Sequence, residues 1–234
     1  MNASQEDELL NDIRKWSGLV RVGIWSAVVS VALIALQIVF YVIWPPPETA
    51  AEFLELLTEE PVQGLLALDL LYPLSNLLTF FVYLALAVVL WRVSRSAVAV
   101  ALAFGTLGMA AYMASPRPVE MLQLAQLYSA AGPTEQTALL AVAEGMLATW
   151  TGTAFDVYYV LNFAALLVFA SLMFRSPVFG RPTAVWGLLA AILMAVPSNF
   201  GTVGLVFALA SLLPWSVFAV LVARRLSSLL AEAR

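Results

Sequence analysis

Long apolar runs separated by short polar turns dominate the chain, and their length decides what they can be. At about 1.5 Å of rise per residue, about 20 apolar residues cross a hydrocarbon core of about 30 Å. Apolar stretches read as spans fall at 22–44, 62–91, 97–114, 152–174, 184–196 and 203–222. The pattern predicts an all-α protein, a six-transmembrane-helix bundle over residues 22–226. A polar N-terminal tail, 1–21, precedes it and a C-terminal tail, 227–234, follows it.

Two of the connections are amphipathic. Residues 48–60 hold Glu48, Glu52, Glu55, Glu59 and Glu60 with Phe53, Leu54, Leu56 and Leu57 along one side, which predicts a short helix lying on the membrane surface. Residues 119–128 repeat the idea beside Arg117 and Glu120. The stretch 133–175 is different: as one helix it would reach about 64 Å, twice what a membrane needs. Its first half, with Glu135 and Glu144, therefore projects from the bilayer or breaks, and its second half spans and ends at Arg175.

Polar residues inside the spans fall on helical stripes. Spacings of three, four, three and four put Asp69, Tyr72, Asn76, Thr79 and Tyr83 on one face, with Pro73 predicting a kink. Asp156, Gly152, Thr149 and Gly145 form a second stripe with Thr153 beside it; small polar residues on an apolar helix mark a packing seam or a cavity wall. The pattern Asp69, Tyr72, Leu74, Asn76 returns as Asp156, Tyr159, Leu161, Asn162, which suggests a duplicated hairpin. Gly105 and Gly108 on the third span permit close helix contact.

Counting along each helix puts Asp69 about 34 Å from Arg92 and Asp156 about 28 Å from Arg175, so both carboxylates fall at the outer membrane boundary, where they can stay hydrated. Asp69, Tyr72, Asn76, Thr149, Thr153, Asp156, Tyr159 and Asn162 are the candidate lining of a pocket open to the outside. The plainer reading is that the same groups tie helix ends together. A real pocket suits a cation or a shared proton, or a small amphipathic molecule against Trp150, Phe155, Tyr158 and Trp215. The residue types name no particular metal.

Charge then orients the bundle. Of 11 Lys and Arg residues, all but Arg117 fall on one side when six spans are threaded, so both termini are expected in the cytoplasm and the short amphipathic helices on the outer face. Composition agrees: 62% of residues are hydrophobic and 11% charged, with a mean hydropathy of +0.93, outside the range of soluble domains. The expected location is the plasma membrane, as a multi-pass protein whose first partner is the lipid bilayer. A second copy or another membrane protein is the partner left open by exposed helices. Nucleic acid is not expected, because the basic residues lie scattered in short turns.

The chain has neither Cys nor His. That removes disulfides, thiolate catalysis, haem and the usual zinc ligands, and with them rhomboid-like, zinc-dependent and ceramidase-like membrane hydrolases. The motifs of aspartyl intramembrane proteases are missing too. No nucleophile stands beside a base, so the reading is against an enzyme and against a cofactor. It leaves two classes: a binding or transport module, and an accessory subunit of a larger membrane complex.

Residues 65–76, the run Pro118, Val119, Glu120, Met121, Leu122 followed by Tyr128, residues 148–155, and the tail Leu212, Leu213, Pro214, Trp215 with Arg224 and Arg225 resemble a known bacterial family. It is a polytopic membrane family designated domain of unknown function four-three-eight-six. The resemblance implies an integral membrane protein of about this length and span count, and it brings no activity and no catalytic residue.

Overall fold

The computed structural model describes residues 3–234, with eleven helices and no strand among the described residues. In chain order they are α1 (Ala3–Lys15), α2 (Ser17–Ile43), α3 (Ala50–Glu59), α4 (Pro61–Ala67), α5 (Leu71–Leu90), α6 (Arg95–Met113), α7 (Pro118–Ala130), α8 (Pro133–Trp150), α9 (Thr153–Arg175), α10 (Arg181–Leu193) and α11 (Gly201–Glu232). Five segments are long and apolar enough to cross a membrane, carried by α2, α5, α6, α9 and α11. The chain is an integral membrane protein built as a helical bundle.

Contacts between turns define two ends. At the basic end, Arg92 after α5 pairs with Glu8 and Asp12 of α1, Arg14 donates to the carbonyl of Ala233, and Arg225 donates to the carbonyl of Val178. Hydrogen bonding to Asp12, with the charges of Asp12 and Glu8, holds the Arg92 guanidinium above its ordinary range. The N-terminal residues 3–15 are thus a helix rather than a loose tail, and α1 buries Leu9 and Ile13 against the bundle.

The opposite end carries a cap. Its helices α3, α4, α7 and α8 share a small core of Phe53, Leu54, Leu57, Ala67, Met121, Leu124, Ala125 and Ala143, separate from the core of the bundle. The apolar side of α3 therefore packs on protein and not on lipid. Thr49 starts α3 through a capping box with Glu52, which satisfies the first free N–H groups and fixes where the helix begins.

Both long polar-to-apolar stretches break where they meet the bundle. The second apolar run is not one kinked helix, because α4 ends in a Schellman motif: Leu70 N–H reaches the Leu65 carbonyl at 3.2 Å and Asp69 N–H the Leu66 carbonyl at 3.1 Å. Asp69 takes the left-handed position of that motif at φ 58°, where glycine is usual. Pro73 then falls in the first turn of α5, where its missing N–H costs nothing, so it does not kink the helix. The 133–175 stretch breaks between α8 and α9, at Thr151 and Gly152.

The short helix α10 has only 13 residues, about 20 Å. It is wedged between α9 and α11, and the irregular residues after it continue toward the cap. There Tyr159 of α9 donates to Ser198 at 3.1 Å, and Asn199 donates to Asp156 at 2.9 Å and to the Thr151 carbonyl at 2.7 Å. From Arg181 to Asn199 the chain therefore runs back alongside α9, from its basic end to its first turn.

Glycine sets the closest helix approaches. A Cβ on Gly23 of α2 would sit 2.3 Å from the Ala85 Cβ of α5, and one on Gly108 of α6 would sit 2.7 Å from the Asn162 amide nitrogen of α9. Gly105 lies against the Tyr83 ring in the same way, at 3.0 Å.

Candidate functional site

Two adjoining cavities open inside the cap-side half of the bundle. The inner one, about 80 Å³, is bounded by α2, α5, α9 and α11 and by the end of α10. Its wall is unusually polar for a membrane interior: Gln37, Ser75, Asn76, Thr79, Asn162 and Ser211 face it, with the hydroxyl-bearing rings of Tyr72, Tyr83 and Tyr158. Tyr72, Asn76, Thr79 and Tyr83 follow the three–four spacing of α5, so one stripe of that helix forms one wall.

Asn76 is 3% exposed, and its amide nitrogen has no hydrogen-bond partner among the described residues. Leaving a buried donor unpaired costs about 1–3 kcal/mol, and native interiors leave few such groups without water or a ligand. Its counterpart Asn162 is 2% exposed and donates to the Tyr158 carbonyl at 3.1 Å. The space suffices for a few ordered waters or for part of a small ligand.

The outer cavity, about 270 Å³, shares Ile34, Gln37, Tyr72 and Leu212 with the inner one and adds Ile38, Tyr41, Val42, Asp69 and Leu209. Its mouth faces sideways between α2 and α11, where Ile38, Val42 and Leu209 are 45%, 77% and 56% exposed. At its head sits the half-buried Asp69 carboxylate, which accepts from the Tyr41 hydroxyl on one oxygen and from the Tyr112 hydroxyl on the other at 3.0 Å. No Lys or Arg lines either cavity.

Aromatic packing joins the two cavities to the rest of the bundle. Tyr72 stacks on Tyr112 with ring centroids 4.7 Å apart, Tyr112 on Tyr158 at 5.0 Å, and Phe155 on Tyr159 at 5.1 Å. The rings hold Tyr72 between the Asp69 carboxylate and the inner chamber.

The residues singled out from sequence thus divide. Asp69, Tyr72, Asn76 and Asn162 come together around the two cavities. Tyr159 lies behind them, bonded to Ser198. Asp156 lines neither cavity and is engaged by Asn199. Thr149 and Thr153 are exposed, the first returning its hydroxyl to the Gly145 carbonyl at 2.8 Å, and a Cβ on Gly145 would meet nothing within 4 Å. The break at Gly152 explains this, since it interrupts the stripe that a continuous helix would have carried through. Of the aromatic wall, Tyr158 and Trp215 line the chamber, while Trp150 packs in the cap against Phe53.

Gln37 and Tyr41 were not singled out, although a signal existed. Ser26, Ser30, Ile34, Gln37 and Tyr41 recur at spacings of four, four, three and four, so the polar residues of the first span share its inner face. Tyr112 gave no such signal, since one tyrosine at the end of an apolar helix reads as an interfacial anchor.

Among the described residues no group of three or more His, Cys, Asp or Glu side chains is placed to hold a metal. A further cavity of about 410 Å³ lies at the basic end beside Arg92 and Arg175, where Arg92 is already paired to Glu8 and Asp12. Comparison of the chain with protein-family models, with curated proteins and with solved structures finds no match. The functional reading therefore rests on the chain's own geometry.

Proposed function

We propose that this protein is a membrane-embedded binding or transport module whose connected cavities take up a small amphipathic molecule. The observation that carries the reading is the Asn76 amide, buried in a polar chamber and left without a protein partner. A purely structural polar seam would pair its members, as the Asp156–Asn199 contact does. A hard-cation site is less well supported, because Asp69 is the single carboxylate on the two walls and its oxygens are already engaged by Tyr41 and Tyr112.

In the same reading the chain crosses the plasma membrane six times, with both termini in the cytoplasm and the cap outside. The return path from Arg181 to Asn199 supports the sixth crossing: α10 is short, but the irregular residues that complete it lie against α9, held there by the side chains of Ser198 and Asn199. The gathering of basic residues at one end supports the orientation.

The test uses the full chain in phosphatidylcholine nanodiscs, with 1-decanol as a probe that has an apolar tail and one hydrogen-bonding head. Saturable thermal stabilisation is expected, and Asn76→Leu should abolish it while raising the unliganded melting temperature. A response to decanol that is identical in the wild type and the variant would overturn the assignment.

The second reading, an accessory subunit, has one observation in its favour. Helix α8 buries only Ala143 among its 18 residues and leaves Val142 47% exposed, so most of its surface is free for another protein. Stable co-purification of one partner in mild detergent is the result it requires.

A further inference from the structure

We infer that the molecule taken up is a lipophilic cation, an amine or quaternary ammonium carrying an apolar tail, and that it reaches the site sideways from the bilayer between α2 and α11. The inference rests on the cavity reading above and names its ligand class.

The charge requirement comes from Asp69. Its carboxylate heads the outer cavity, no Lys or Arg stands on either wall, and no ion pair reaches it among the described residues. Two tyrosine hydroxyls satisfy the oxygens but bring no positive charge, so an ionised Asp69 carboxylate would be uncompensated in an otherwise apolar setting until a cation enters. Tyr41 and Tyr72 line the same cavity, and aromatic side chains attract cations. A carboxylate flanked by tyrosine rings is the chemistry that recognises an alkylammonium head.

The tail requirement comes from the remaining wall. Ile34, Ile38, Val42, Leu209 and Leu212 are apolar, and the mouth between Val42 and Leu209 opens toward the surface that would meet acyl chains. Gln37 and Asn76 lie deeper, where a hydrogen-bonding group on the ligand would find donors. A hydrophilic cation would lose its hydration on such a route, whereas a lipid-soluble one is already concentrated there.

The experiment compares decyltrimethylammonium with 1-decanol, on the full chain in nanodiscs of zwitterionic phosphatidylcholine, so that no anionic lipid concentrates the cation at the surface. The melting temperature is followed against probe concentration. Decyltrimethylammonium should act at about tenfold lower concentration than decanol, and Asp69→Asn should remove that advantage while leaving the decanol response in place. Asp156→Asn should change neither. Leu209→Trp, which narrows the mouth without touching the Asp69 hydrogen bonds, should weaken both probes and keeps the test decisive if Asp69→Asn fails to fold. Equal potency of the two probes, or an advantage that survives Asp69→Asn, overturns the cation assignment and leaves the chamber standing. No saturable response to either probe overturns the chamber reading as well.

Discussion

Tyr112, in the last turn of α6, donates a 3.0 Å hydrogen bond to the carboxylate of Asp69, a residue that belongs to no helix and sits at φ 58°. The contact ties the cap-side end of α6 to the break between α4 and α5. Tyr41 brings in the end of α2 through the other oxygen. Three helix ends thus converge on one side chain whose own backbone is unfavourable, so side-chain and backbone effects should separate by substitution.

Asp69→Ala keeps the left-handed strain and strands two tyrosine hydroxyls; Asp69→Gly strands the hydroxyls but relieves the backbone. Asp69→Asn keeps an acceptor and a residue that tolerates this conformation. Expected stability falls in the order Asp, Asn, Gly, Ala. The alanine variant should lose about 3 kcal/mol for the hydrogen bonds, and glycine should recover about 1 kcal/mol of backbone strain. Reversible unfolding in detergent measures this, and equal stability of the glycine and alanine variants would contradict the backbone half of the account.

The Asp156–Asn199 contact should behave differently, since the hydrogen bonds of Asn199 are exposed. Asn199→Ala and Asp156→Ala are each expected to cost about 1 kcal/mol or less, with a coupling between them in a double-mutant cycle of at least about 0.5 kcal/mol. Additive effects would mean that the contact does not hold the α10–α11 loop to α9.

Two glycines that look alike in sequence should respond with opposite sign. Gly23→Ala pushes a methyl group to within 2.3 Å of Ala85 and should destabilise by about 1–3 kcal/mol through separation of α2 and α5. Gly145→Ala lies within α8 with open space around the new carbon, and should stabilise by up to about 1 kcal/mol through helix propensity. Thermal unfolding of the two variants side by side checks both signs.

These residues also mark how far the sequence could be read. The stripe Tyr72, Asn76, Thr79, Tyr83 was legible because α5 is regular over its whole length, and spacing alone then decides which side chains share a wall. The Thr149–Thr153 stripe was not, because two residues without helical structure at Thr151 and Gly152 reset the phase between α8 and α9. Asp69 was legible as polar and near the boundary. Its place outside a helix was hidden by Pro73, which drew the expected distortion four residues past the real one. The cap appeared in sequence as separate surface helices, because periodicity shows that α3 has an apolar side but not whether lipid or α7 covers it. Gln37 and Tyr41 lay in plain view on one face of α2, within a run apolar enough to be taken as featureless.

Arg92 offers a last test, of the basic end. It joins α1 to the end of α5 through Asp12, at 2.7 Å, and Glu8, on a surface where its side chain is 38% exposed and water screens the attraction. Stability from such a network is small and salt-dependent. The buried Leu9 and Ile13, by contrast, attach α1 through apolar contact that salt does not weaken. Arg92→Gln should therefore lower the melting temperature slightly at low ionic strength and have no effect at about 1 M salt, where the screening length falls to about 3 Å. Ile13→Asp should release α1 at every salt concentration, exposing residues 3–15 to proteolysis. If Arg92→Gln alone freed α1 at high salt, the ion pairs and not the apolar face would be what holds the helix in place.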